Sequence, residues 1–184
     1  MDTISPQQAE QVYREADCLY TQTEIETAIA EMAAAITQRL HSSNPLVLCV
    51  MTGALVPMGQ LLTHLDFPLQ IDYVHATRYQ GETQGKALQW LVRPQHSLTD
   101  RVVLVVDDIL DEGITLQAIL ADLQAQGASA VYTAVLVEKE HTRKADIQAD
   151  FIGVKVPDRY VFGYGMDYKD YLRNTPGIYA VRGL

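Results

Sequence analysis

Val102-Val103-Leu104-Val105-Val106-Asp107-Asp108-Ile109-Leu110-Asp111-Glu112-Gly113-Ile114-Thr115-Leu116 decides how this chain is read. The apolar, β-branched run from Val102 to Val106 has the character of a strand buried on both faces, the habit of parallel sheets. It is expected to stop at the adjacent carboxylates Asp107 and Asp108, with a third acid at Asp111. Gly113 and Thr115 follow, and then an amphipathic helical pattern through Leu116, Ile119, Leu120 and Leu123. Open α/β sheets bind ligands where strands end and helices begin. A helix N-terminus presents free N–H groups and the positive end of the macrodipole, and both attract phosphate. Gly113 lets the backbone approach closely, and the Thr115 hydroxyl can donate one more hydrogen bond. Carboxylates beside a phosphate repel it unless they bind another part of the same molecule. Ionised Asp suits sugar hydroxyls and hard cations such as Mg²⁺. The implied ligand is a sugar phosphate carried with magnesium.

Two other phosphate loops are excluded. No G-x-x-x-x-G-K-[ST] occurs, and Gly163-Tyr164-Gly165 lacks the third glycine of G-x-G-x-x-G, since Tyr168 stands there.

Outward from this stretch the chain alternates strands and helices. Ser5-Pro6-Gln7-Gln8 carries the cap, first-turn proline and third-position glutamine of a helix start, predicted to run to about residue 19. Thr21 and Glu24 form a second capping box ahead of an apolar stripe of Ile25, Ile29, Met32, Ile36 and Leu40. Leu46 to Met51 reads as a buried strand, followed by Thr52-Gly53-Ala54 and a helix with Pro57 in its first turn and Leu61, Leu62 and Leu65 facing inward. Residues 69–79 read as a strand with Leu69, Ile71 and Tyr73 inward. Residues 80–86 are polar and glycine-bounded, as expected of a mobile loop, and Leu88 to Val92 returns as a strand. Gly127 ends the central helix, and Ala130–Val137 and Phe151–Val156 are further strands. The pattern predicts an α/β fold with a mainly parallel sheet flanked by helices.

Length and composition bound the function. A chain of 184 residues suits one compact domain, and 48% hydrophobic with 20% charged residues is ordinary for a soluble protein. A net charge of −9 argues against nucleic acid as a partner. No apolar stretch approaches the ~20 residues that span a membrane, and the N-terminus lacks a secretory pattern. Cys18 and Cys49 fit a reducing cytoplasm as small buried residues. The five histidines show no metal-ligand spacing and read as surface or packing residues.

Apolar strand, acidic pair and Asp-x-Gly-x-Thr together resemble the PRPP-binding signature of the type I phosphoribosyltransferases. The likeness extends over most of the chain to the 6-oxopurine branch, the hypoxanthine-guanine phosphoribosyltransferases. It implies that family's fold with a small hood, built from about residue 156 to 184 with the N-terminal segment, and a mobile loop at about 78–87. It implies Mg²⁺ as cofactor, purine salvage as function, PRPP and hypoxanthine or guanine as substrates, and a homodimer or homotetramer. Asp111 becomes the base that takes a proton from purine N7. Phosphate binding extends over Glu112, Gly113, Ile114, Thr115 and Leu116, with Asp107 and Asp108 on the ribose diol and the metal. Taken alone, Lys139 at a strand's end reads as a surface lysine; the resemblance places it on purine O6. Glu138 and Glu140 beside it read as solvated.

The segment 156–168 resembles the family's second purine-site segment. It puts Tyr160 on the base as a stacking aromatic, Val161 on the ring edge through its backbone, Met166 in the pocket wall and Asp167 beside the metal. Tyr164, Tyr168 and Tyr171 read as core aromatics. Arg173 falls where the family has an arginine for pyrophosphate. Thr52-Gly53 matches the pyrophosphate loop, with Thr52 in place of the usual basic residue. Arg78-Tyr79 stands where a Ser-Tyr pair is common. Tyr79 still suits covering the sugar, and Arg78 either restores positive charge or is an ordinary surface arginine.

A xanthine-guanine phosphoribosyltransferase is the nearest alternative. A non-catalytic PRPP-sensing regulator needs a nucleic-acid surface that the acidic charge disfavours. A phosphoacceptor receiver domain opens with Leu-Val-Val-Asp-Asp, whereas here about a hundred residues precede it.

Overall fold

The computed structural model describes residues 4–78 and 88–183. Along the chain lie α1 (Pro6–Glu15), β1 (Asp17–Thr21), α2 (Gln22–Leu40), β2 (Leu46–Val50), α3 (Leu55–Leu62), β3 (Gln70–Arg78) and β4 (Leu88–Val92). They continue as β5 (Val102–Leu110), α4 (Ile114–Ala125), β6 (Ala130–Glu140), β7 (Phe151–Pro157), β8 (Val161–Phe162) and β9 (Gly177–Ala180). A six-stranded sheet has the order β4-β3-β2-β5-β6-β7, and a three-stranded sheet the order β1-β9-β8. Within the larger sheet only the β3–β4 pair is antiparallel. The α/β reading, with a mostly parallel sheet flanked by helices, is borne out.

Burial explains why these segments became these elements. β2 is buried along its whole length, and Val103 to Val106 of β5 are buried too, so both central strands take the apolar runs the sequence offers. In α2 the stripe of Ile25, Ile29, Met32, Ile36 and Leu40 is buried, and Thr21 and Glu24 close the capping box at its start.

The sheet order also locates the site. From β2 the chain crosses through α3 to β3 on one side, then returns to β5 on the other side of β2. The gap between the C-terminal ends of β2 and β5 is therefore the switch point at which an open sheet receives ligands. The Cys49–Val106 pair is the last between the two strands, and β5 runs on beside β6 alone.

Several expectations are corrected. α1 ends at Glu15, four residues earlier than predicted, because Asp17–Thr21 pairs as a strand with β9. β5 does not stop at the acidic pair but continues through Leu110. In β3 the alternation is right and the face is wrong. Ile71 is 53% and Tyr73 41% exposed, while Val74 is buried and the Asp72 side chain is only 5% exposed. Asp72 turns inward because it accepts hydrogen bonds from the backbone N–H groups of Tyr73, Gln95 and His96 and pairs with the His96 ring. Cys18 is exposed rather than buried. No helix among the described residues is long and apolar enough to cross a membrane.

Candidate active site

Because β5 outruns β2, Asp107 and Asp108 stand beside the space that Thr52 and Gly53 fill. The Met51–Thr52 peptide bond is cis, and Thr52 is exposed. A Cβ on Gly53 would fall 2.0 Å from Asp108 Oδ2, so any larger residue here would have to displace the Asp108 carboxylate. The same loop meets the smaller sheet's C-terminal segment: a Cβ on Gly165 would lie 2.1 Å from the Gly53 carbonyl oxygen. Two glycines thus join the pyrophosphate-loop candidate to the purine-segment candidate.

The turn between β5 and α4 forms the first hollow, of about 470 Å³. It is lined by Asp107, Asp111 and Glu112 to Leu116, with Val50 and Ile109. Gly113 is the helix cap at φ 76° and has no side chain of its own to cap the first turn, which lines this hollow through Ile114, Thr115 and Leu116. The glycine is needed for its left-handed backbone and because a Cβ would strike Ile147 at 2.5 Å. Ile147 belongs to the connection 141–150, which folds back over the turn. The Ala145 N–H donates to the Glu112 carbonyl at 2.8 Å, and Gln117 Nε2 donates to the Asp146 carbonyl.

The second hollow, of about 330 Å³, is lined by Asp108, Ile109, Asp111, Lys139, Tyr160, Val161, Met166 and Asp167. Tyr160 is 42% exposed at the hollow and makes an edge-type contact with Tyr168, ring centroids 5.3 Å apart. Val161 pairs with Ala180 in the smaller sheet, and Met166 is buried in the wall. Tyr164 is a core residue, whereas Tyr171 is exposed, contrary to expectation. Asp111 lines both hollows.

The charges are arranged unevenly. Asp107 is raised well above the usual carboxylate range, by burial first and then by the neighbouring Asp108 charge. Asp108 is raised by burial, which its hydrogen bonds and the nearby Arg173 only partly offset. A half-buried pair of acids with all-oxygen donors is a setting for a hard cation. Together with Asp167 they do not close a three-ligand cage. Among the described residues the one such trio within 4.8 Å is Asp111, His141 and Asp158.

Asp111 behaves differently. Burial pushes its carboxyl up, but hydrogen bonds from Lys139 and His141 prevail and hold it below the ordinary value. Lys139 Nζ donates to Oδ2 at 2.8 Å, and His141 Nε2 lies 2.7 Å from Oδ1. No metal spacing marks His141 in the sequence, and its contact with Asp111 arises only when the ends of β5 and β6 meet. Glu138 is not solvated as expected: its side chain is 14% exposed and pairs with Lys144 and Lys155. Glu140 is exposed. Arg173 pairs with Asp167 at 2.7 Å and donates to the Gly165 carbonyl at 2.7 Å, bracing the loop between β8 and β9. Arg78 ends β3, and Tyr79 with residues 80–86 lies outside the described residues.

A family model described as "Phosphoribosyl transferase domain" matches residues 15–170. A hypoxanthine-guanine-xanthine phosphoribosyltransferase of Tritrichomonas foetus is 37% identical, covering 87% of this chain and 88% of that one. A hypoxanthine-guanine phosphoribosyltransferase of Bacillus subtilis (strain 168) is 34% identical, covering 87% of this chain and 89% of that one. The crystal structure of a hypoxanthine phosphoribosyltransferase from Staphylococcus aureus superposes with a TM-score of 0.87 at 30% identity, covering 92% of this chain and 94% of that one. On the fold, the glycine-joined crevice and these likenesses, the chain belongs to the phosphoribosyltransferase family, in its hypoxanthine-guanine branch.

Proposed function

We propose that this chain is a purine-salvage enzyme that transfers phosphoribose from PRPP to hypoxanthine or guanine, giving IMP or GMP and pyrophosphate. The observation that carries the reading is Asp111, shared by a hollow lined by the first turn of α4 and an aromatic-walled one at the switch point of the sheet. A phosphorylated sugar in the first and a flat base in the second would meet beside that carboxylate.

In this scheme the α4 amides with Thr115 hold the 5′-phosphate, and Asp107 and Asp108 accept the ribose hydroxyls. Loss of pyrophosphate from C1 builds positive charge on the sugar, which the acidic pair favours electrostatically. Thr52 and Gly53 offer backbone groups to the leaving pyrophosphate, and Arg173 adds a planar cation. Asp107, Asp108 and Asp167 would hold Mg²⁺, which when bound neutralises the departing pyrophosphate. The incomplete protein ligand set suits an ion that takes its remaining oxygens from PRPP. Tyr160 stacks on the purine, Val161 and Met166 frame it, and Lys139 donates to O6. Lys139 must then leave Asp111, its partner in the structure, and that exchange frees Asp111 Oδ2 for the N7 proton as N9 attacks C1.

The test is pyrophosphate release from PRPP and magnesium with hypoxanthine, guanine or xanthine offered separately. Release with hypoxanthine or guanine supports the reading, and release with xanthine and guanine alone shifts it to the alternative pocket. No release with any base would favour a PRPP-sensing regulator. A cytoplasmic location and assembly as a homodimer or homotetramer belong to the same proposal. For the assembly the support is an apolar hollow of Met51, Leu55, Met58, Leu62, Ile71 and Tyr73, with Leu55, Ile71 and Tyr73 exposed.

A further inference from the structure

His141 sits where the strand β6 has just ended, its side chain 5% exposed, with one ring nitrogen on the Asp111 carboxylate and the other on backbone. Nδ1 accepts the Arg143 N–H at 3.1 Å, which leaves Nε2 to carry the proton and donate it to Asp111 Oδ1 at 2.7 Å. The ring therefore has one acceptor and one donor, each used, and its tautomer is fixed by the Arg143 amide. This bonding differs from that of Lys139 in one respect that matters. Lys139 ends on a flexible four-carbon stem and reaches Asp111 through Oδ2, on a hollow where it also has space to turn. His141 is enclosed and anchored at both ends.

Asp158 lies close enough to complete a metal-binding trio with Asp111 and His141, but its carboxylate takes two hydrogen bonds from Arg143, at 2.8 and 2.7 Å. With the Asp111 oxygens also engaged, the cluster is a closed hydrogen-bond chain rather than a cation site.

We infer that His141 is the positioning residue for Asp111: its Nε2–H fixes Oδ1 so that Oδ2 keeps facing the purine when Lys139 exchanges the carboxylate for the base. The inference rests on the proposed role of Asp111 as proton acceptor. A carboxylate on two rotatable bonds, released by Lys139, would otherwise swing, and a base must lie within hydrogen-bond reach of the proton it takes. The second donor is fixed while the first moves. Asp111 thus stays ionised and aimed through the exchange.

Two substitutions separate the ring's two bonds. His141→Asn keeps an acceptor near the Arg143 amide but ends short of Asp111; His141→Gln carries an amide donor toward the Nε2 position. His141→Asn should lower kcat about tenfold or more, the usual worth of one hydrogen bond to a charged group. The KM for PRPP should stay within about twofold. The acid limb of kcat should move to higher pH, because a donor that held Asp111 low has gone. His141→Gln should recover most of kcat and return the limb toward its place. Unchanged kcat and pH limb in His141→Asn overturn the inference, as do equal losses of kcat and PRPP affinity, or a His141→Gln no better than Asn. Asp111→Asn, measured alongside, tells the two claims apart. If it loses kcat while His141→Asn does not, only the role of His141 fails. If it keeps full activity, the reading of Asp111 fails and takes His141 with it.

Discussion

Asp111 has both carboxylate oxygens engaged and is held low in proton affinity, a setting that keeps it ionised at neutral pH. As the proposed acceptor of the N7 proton it should matter to turnover and little to PRPP binding. Asp111→Asn is therefore expected to reduce kcat by about 10²–10⁴-fold, the span of a positioned base, with KM for PRPP within about twofold in steady-state assays. Parallel loss of both would place Asp111 in binding instead. The acids and Gly113 were legible in the sequence because adjacent carboxylates ahead of Gly-x-Thr are odd for a plain turn. His141 was not, since its meaning depends on two strand ends thirty residues apart meeting in space.

Elements show a similar split. Apolar runs and capping boxes marked β2, β5 and α2 because burial and end-group chemistry are local to the chain. The inward face of β3 is not legible in its alternation, which fixes the period, while the face is chosen by what covers it. Here Asp72 is covered by residues 95–96, whose amides it accepts, and its carboxyl is held below its ordinary 3.8, those bonds and the His96 contact outweighing burial. A lowered folded value stabilises above the unfolded pKa, and the stability is lost as pH falls through the folded one. Asp72→Asn is thus expected to cost about 2 kcal/mol at pH 7, or roughly 4–8 °C in Tm. In thermal melts the gap to wild type should narrow below pH ~3.8. A gap that persists unchanged at pH 2.5 would mean the carboxylate is not its source. β1 was hidden inside the expected first helix because its partner, β9, lies at the other end of the chain.

The molecule as a whole brings the loop after β2 and the segment before β9 to one crevice, where Gly53 and Gly165 meet at backbone distance, while β1 pairs with β9 in the smaller sheet. Sequence order announced the α/β layers, but not this closure, which rests on contacts between residues more than a hundred positions apart. The apolar patch around Ile71 and Tyr73 is the molecule's proposed route to self-association. Ile71→Asp should convert the assembly to monomer in sedimentation analysis, and an unchanged sedimentation coefficient would remove that face from the interface. The central claim, that the crevice joins a pentose to a base rather than merely binding or hydrolysing PRPP, is tested most directly by rapid-quench single turnover. Enzyme in excess over PRPP is mixed with magnesium and guanine or hypoxanthine, and nucleotide and pyrophosphate are quantified in the same samples. Nucleoside monophosphate and pyrophosphate should rise together, one for one, with one rate constant. Pyrophosphate without nucleotide, or neither product from either base, would contradict the account.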